Sequence, residues 1–193
     1  MSTDYAVAIG ETQTLNAKLR DGNHRLHSFL NALQGLVTAL DVQTEDDHVM
    51  SLLSECLDAL LHAINAEFGS LLALDEDNRE LVYVLVSGTQ NDTGMLWQRV
   101  SANKGISGWV LQHVDAAIIN DPSADDRVDE KTDIPEGITA ETLMCIPVLG
   151  KDEVLGVITL FNKRVDGMFT DDDQTLGWLM GRFAGELLYR MSK

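Results

Sequence analysis

Four stretches of this chain are apolar at nearly every position: Leu71 to Leu74, Leu81 to Val86, Met144 to Val148 and Leu155 to Phe161. A strand wetted on one face alternates apolar and polar residues, whereas a run without alternation is covered on both faces. Such runs usually belong to parallel sheets. Here, however, only Asp75-Glu-Asp-Asn-Arg-Glu80 separates the first pair and Leu149-Gly-Lys-Asp-Glu153 the second, while a parallel crossover needs about a dozen residues. The expected sheet is therefore largely antiparallel, of five or six strands, and covered on both sides. That is an α+β sandwich.

The covering layers follow from what remains. Helical patterns at residues 21–40, 44–66 and 171–190 can seal one face, which leaves about Thr89 to Thr142 for the other. Gly105 to Val114 reads as a short amphipathic helix with Ile106, Trp109 and Val110 turned inward, and Ala117 to Asn120 as a short strand. A polar excursion from Asp121 to Glu141 follows, with eight acidic residues against Arg127 and Lys131. Loops of that length in a compact domain are usually lids or disordered. The expectation is a mobile acidic lid that a ligand closes over an enclosed pocket. The candidate lining is Ile106, Trp109, Val110, Asn120, Asp121, Arg127, Thr142, Met144 and Thr159.

The terminal helices carry regular stripes. Leu15, Leu19, Gly22, Leu26, Phe29, Leu33, Leu36 and Leu40 recur at alternating steps of four and three, the spacing of a helical-bundle seam. Asp21-Gly22-Asn23 reads as a break, so residues 1–20 are taken as a partly helical or disordered extension and 21–193 as the domain. Thr44 and Asp47 have capping-box spacing at the start of the second helix. In the last helix, Leu176, Met180, Phe183 and Leu187 repeat at four, three, four. The two stripes together suggest a homodimer through residues 21–40 and 171–190.

Charge excludes some partners. With 31 acidic and 14 basic residues, a formal charge of −17 repels phosphate backbones and anionic lipid, so neither nucleic acid nor a membrane surface is expected as a partner. No apolar run suits a signal peptide or a bilayer span, and a cytoplasmic location is expected. Cys56 and Cys145 lie far apart in apolar sequence and read as buried thiols. The histidines and the lid aspartates lack metal-ligand spacing, so no metal site is expected.

Three motifs point to a family. Gly105-Ile-Ser-Gly-Trp-Val-Leu-Gln-His113, Ile118-Ile-Asn-Asp-Pro122 and the spacing of Asn162, Lys163, Phe169 and Asp173 resemble the GAF domain, and the order of elements from about Asp21 onward is similar to the whole of that fold. The resemblance implies a non-enzymatic regulatory module of signal transduction that senses a small molecule and reports to an output protein. Cyclic-nucleotide-binding members carry Asn-Lys, Phe and Asp-Glu at the last motif. This chain has Gln174 in place of the Glu, and a cyclic nucleotide is the alternative ligand. The physical reading of Lys163 and Asp173 is an ion pair tying the final strand to the last helix. A ligand-free docking scaffold explains the stripes equally well. Members that reduce free methionine sulfoxide use lid and pocket cysteines, and this lid has none; that activity is kept only as a minor alternative. Bilin attachment would need a cysteine near Arg127-Val-Asp-Glu-Lys131, and haem an axial histidine for which His113 is the candidate. Neither cofactor is expected.

Overall fold

The computed structural model describes residues 2–41, 46–88, 93–165 and 167–192. Its centre is a sheet of six strands: β1 (Ala66–Asp75), β2 (Glu80–Gly88), β3 (Arg99–Ser101), β4 (Ala117–Ile119), β5 (Leu143–Gly150) and β6 (Glu153–Lys163). The spatial order is β3-β2-β1-β6-β5-β4, and every neighbouring pair is antiparallel. The short connectors are tight turns. After β1, the Asp75 side chain accepts hydrogen bonds from the Asn78 backbone N–H and Nδ2. After β5, Lys151 and Asp152 both take positive φ, 45° and 68°. That is the backbone of a type I′ hairpin, whose twist matches its strands.

Among the described residues, five α-helices dress the sheet: α1 (Ser2–Asp41), α2 (Asp46–Ile64), α3 (Gly105–His113), α4 (Glu130–Asp133) and α5 (Asp171–Met191). Side chains alternate across each strand, so the sheet has two cores. On one face Leu71, Met144, Ile146, Val148, Ile158 and Leu160 pack with α1, α2 and α5. On the other, Phe68, Leu72, Leu81, Cys145, Val157 and Phe161 pack with Ile106 and Val110 of α3.

Helix α5 lies unusually close to β5. Gly177, Gly181 and Gly185 recur every four residues on the face it presents, and a Cβ on Gly185 would stand 2.2 Å from the carbonyl carbon of Leu149. Bare glycines let helix backbone touch strand backbone. The helix starts with a capping box: Thr170 Oγ1 accepts from the Asp173 N–H, and the Asp173 side chain accepts from the Thr170 N–H.

Two expectations about the terminal helices need correction. The break at Asp21-Gly22-Asn23 is absent, and α1 runs unbroken through it for 40 residues, about 60 Å at 1.5 Å per residue. The bundle seam is divided: Phe29, Leu33 and Leu36 are buried in the domain's own core, as are Met180 and Leu187 of α5. Three members of the same stripe, Leu15, Leu19 and Leu26, are exposed, as are Ile9, Leu30 and Val37 among the described residues of α1. The capping box expected at Thr44 lies outside the described residues.

Candidate functional site

Helix α3 begins without a cap of its own. Lys104 occupies the N-cap position in extended conformation and makes no side-chain capping bond, although the first N–H groups of any helix lack intrahelical partners. Asp133 of α4 supplies the acceptor. Its Oδ2 accepts from the Ile106 N–H at 2.8 Å, and its Oδ1 accepts from the Ser107 N–H and Oγ, each at 3.1 Å. The Asp129 N–H adds a bond to Oδ2 at 2.9 Å. Asp133 is only 2% exposed. Gly105, at φ 68°, makes room: a Cβ there would stand 2.1 Å from Asp133 Oδ2.

Other polar groups are buried on the same face. The Ser107 hydroxyl lies within hydrogen-bonding reach of the Cys145 thiol, and Asp133 lies within electrostatic reach of Cys145 and Tyr83. Ser70 Oγ and Thr159 Oγ1 are 2.7 Å apart on adjacent strands β1 and β6. Burial pushes the Asp133 carboxyl above its ordinary range although its four donors pull the other way. Burial also pushes Tyr83 up to about 12, helped by the nearby Asp133 charge. The Cys145 thiol is driven upward chiefly by burial. Such a group is a thiol and not a thiolate at neutral pH.

The segment 121–141 packs shut over this face and is pinned a second time from outside. The Arg127 guanidinium lies 5.1 Å from the Trp109 ring centroid, and that ring stacks on His113 at 4.4 Å. Arg127 is held in turn by a forked pair of hydrogen bonds to Asp125. Within the segment, the Asp129 side chain caps α4 by accepting from the Thr132 N–H.

The candidate residues separate into distinct roles. Ile106 and Val110 face inward from α3, and Thr159 of β6 lies beneath them on the inner face. Trp109 is half-buried against the same core, and its ring also meets Arg127 and stacks on His113. Met144 was expected in the lining and belongs to the opposite core, against α5, while its neighbour Cys145 faces α3. Asn120 ties the end of β4 to the entry of α5, accepting from the Phe169 N–H at 2.9 Å and donating to its carbonyl at 3.2 Å. Asp121 is an exposed turn residue bonded to Ser123. Thr142 is buried, and its Oγ1 accepts from the Lys163 N–H.

Asn162, at φ 57°, accepts from the Glu141 N–H and donates to the Thr139 carbonyl, which anchors the far end of the lid. Lys163 Nζ forms a nearly buried ion pair with Asp173 Oδ2. Open clefts lie elsewhere: one of about 440 Å³ at the outer edge of α3, beside Arg79, Asn103 and Leu111, and one of about 580 Å³ beside Arg25, Asp58 and Arg164. The candidate residues line neither. Among the described residues, no three His, Cys, Asp or Glu side chains gather to hold a metal, and no helix is long and apolar enough to cross a membrane.

Sequence reasoning missed Asp133, Ser107, Ser70 and Tyr83. One signal was present. A helix opening on Asn103-Lys104-Gly105 has no capping side chain at the N-cap, so its N–H groups must borrow an acceptor.

Comparison with known proteins places this arrangement. A profile of the GAF domain matches residues 48–188. The chain is 27% identical over 134 residues to the probable 3',5'-cyclic phosphodiesterase pde-5 of Caenorhabditis elegans, covering 65% of this chain and 18% of that protein's length. It therefore spans about a fifth of that curated relative. The GAF domain of an Acinetobacter phosphoenolpyruvate-protein phosphotransferase superposes with a TM-score of 0.69 at 16% identity, covering 84% of this chain and 93% of the other. The free methionine-R-sulfoxide reductase of Neisseria meningitidis superposes with a TM-score of 0.64 at 12% identity, covering 86% and 92%. At those identities the two structures speak for the fold alone. The profile match covers most of the chain, and the chain belongs to the GAF domain family.

Proposed function

We propose that this chain is a non-enzymatic sensor module of signal transduction, which binds a small molecule on the face covered by α3 and the segment 121–141 and acts from the cytoplasm. The observation that carries the reading is the buried polar cluster of Asp133, Ser107, Cys145, Ser70 and Thr159 beneath α3. Polar groups cost free energy to bury, and a face that only stabilised the fold would be served better by the apolar residues that fill the opposite core. Occupancy shifts the balance between two packings of the domain, and a difference of about 1–3 kcal/mol is a usable signal. The output is a second protein, reached through the terminal helices of a homodimer. The exposed part of the α1 stripe, Leu15, Leu19 and Leu26, with Leu30 and Val37 beside it, supports that assembly.

A cyclic nucleotide is the second reading for the ligand, favoured by the likeness to a phosphodiesterase and by the Asn162, Lys163, Phe169 and Asp173 spacing. Methionine sulfoxide reduction is disfavoured by two thiols that burial keeps protonated. Native mass spectrometry of freshly purified protein, followed by thermal-shift measurements with cyclic GMP, cyclic AMP, free amino acids and small anions, tests the sensor reading. Stabilisation by one compound class supports it. No response to any of them leaves a docking scaffold. Sedimentation showing only monomer at micromolar protein overturns the homodimer.

A further inference from the structure

We propose that Asp133 is a built-in occupant of the α3 N-terminus, a latch that holds the segment 121–141 shut, so that this segment opens when the contact breaks. The geometry is that of a bound carboxylate. Both Asp133 oxygens accept from the first turn of α3, at 2.8 Å from the Ile106 N–H and 3.1 Å from the Ser107 N–H, with the Ser107 hydroxyl as a third donor. The donors and the acceptor are 26 and 27 residues apart in the chain, so the contact is tertiary and can break without unfolding α3.

Nothing else on α3 can replace it. Lys104 offers no capping side chain, and a side chain at Gly105 would collide with the carboxylate. The fourth donor, the Asp129 N–H, makes Asp133 close its own short helix as well. One carboxylate therefore stitches α4 to itself and to α3. Its four donors are three backbone N–H groups and the Ser107 hydroxyl, none of them cationic. The carboxylate is thus held by backbone N–H groups and one hydroxyl, which an entering anion or a solvent excursion can match.

Where the sensor reading above holds, a consequence follows for its sign: a ligand that needs the α3 N-terminus has to displace Asp133, so binding opens the segment instead of closing it. The apparent affinity is then reduced by the fraction of molecules in which the latch is open.

Amide hydrogen exchange on the full chain, with no added compound, tests the latch. In Asp133→Ala, exchange at Ile106, Ser107, Asp129 and across 121–141 should rise about tenfold or more over the wild type, with β1 and β6 unchanged. Asp126→Ala, which alters an exposed lid carboxylate, should behave as wild type. Sodium acetate, compared with sodium chloride at equal concentration, should restore protection to Asp133→Ala and leave the wild type unmoved. Wild-type protection in Asp133→Ala overturns the proposal. If that variant loses the protection of the whole sheet, Asp133→Asn decides: selective exposure of 121–141 supports the latch, and general exposure overturns it. Cyclic GMP is the probe for the consequence. If it stabilises the wild type and raises protection at Ile106 and Ser107 together with 121–141, the displacement sign is wrong. If it does not bind, the sensor reading loses its second ligand while the exchange result stands by itself.

Discussion

Gly181 sits so close to Pro147 that a Cβ on the glycine would lie 2.5 Å from the proline carbonyl oxygen. The obstacle is backbone, so Gly181→Ala has to lift α5 off β5. Overpacking of this kind costs about 1–3 kcal/mol, against a gain of about 1 kcal/mol from helix propensity. Denaturant titration should show a net loss. Gly22→Ala is the control, because only the end of Arg25 lies as near as 4.0 Å to the added methyl; it should be neutral or stabilising.

The Lys163 and Asp173 pair is worth testing from both sides. Its side chains are 12% and 8% exposed, and Asp173 also accepts from the Thr170 N–H and Oγ1. Removing the lysine leaves a nearly buried carboxylate, a change that costs about 3–5 kcal/mol when such a pair is broken. Asp173→Asn keeps an oxygen for the cap and should be milder than Asp173→Ala, as read by thermal unfolding.

Asp75 gives the domain an acid-sensitive hairpin. Hydrogen bonds from Arg99 and Asn78 lower its pKa from 3.8 to about 2. A carboxyl whose folded pKa is depressed contributes stability above its unfolded value and loses it as pH falls through the folded one. The contribution should therefore be complete above pH 3.8 and vanish toward about pH 2. The site is exposed and screened, so the effect should be small. Arg99→Ala should flatten the pH dependence of unfolding in that window.

Both cysteines should be silent in the folded protein. Cys56 is pushed up to about 12 by burial against the helices, and Cys145 is raised still more by its fully buried site. Titration with a thiol-reactive chromophore at neutral pH should find neither until denaturant is added, and then both. Rapid labelling of Cys145 alone in the native chain would show that the α3 face is open in solution.

What the sequence determined by itself is what short-range periodicity and connector length can encode. Unalternated strands with short turns require an antiparallel sheet with two covered faces, and that sheet is present with six strands. The Lys163 and Asp173 pair was legible for the same reason, since a strand end and the helix start that follows it are neighbours along the chain. Assignments that depend on which way a side chain turns were not legible. In a strand apolar at every position, Met144 and Cys145 look alike, and a shift of one residue exchanges their faces; only the docking of α5 and α3 assigns Met144 to one core and Cys145 to the other. The stripe of α1 likewise carries no mark dividing its buried residues from its exposed ones, because that boundary is set by where α2 and α5 end. Asp133 was the least legible of all. Its role exists only because folding carries it across some 26 residues of chain to a helix that lacks a cap, and no local pattern records a partner that distant.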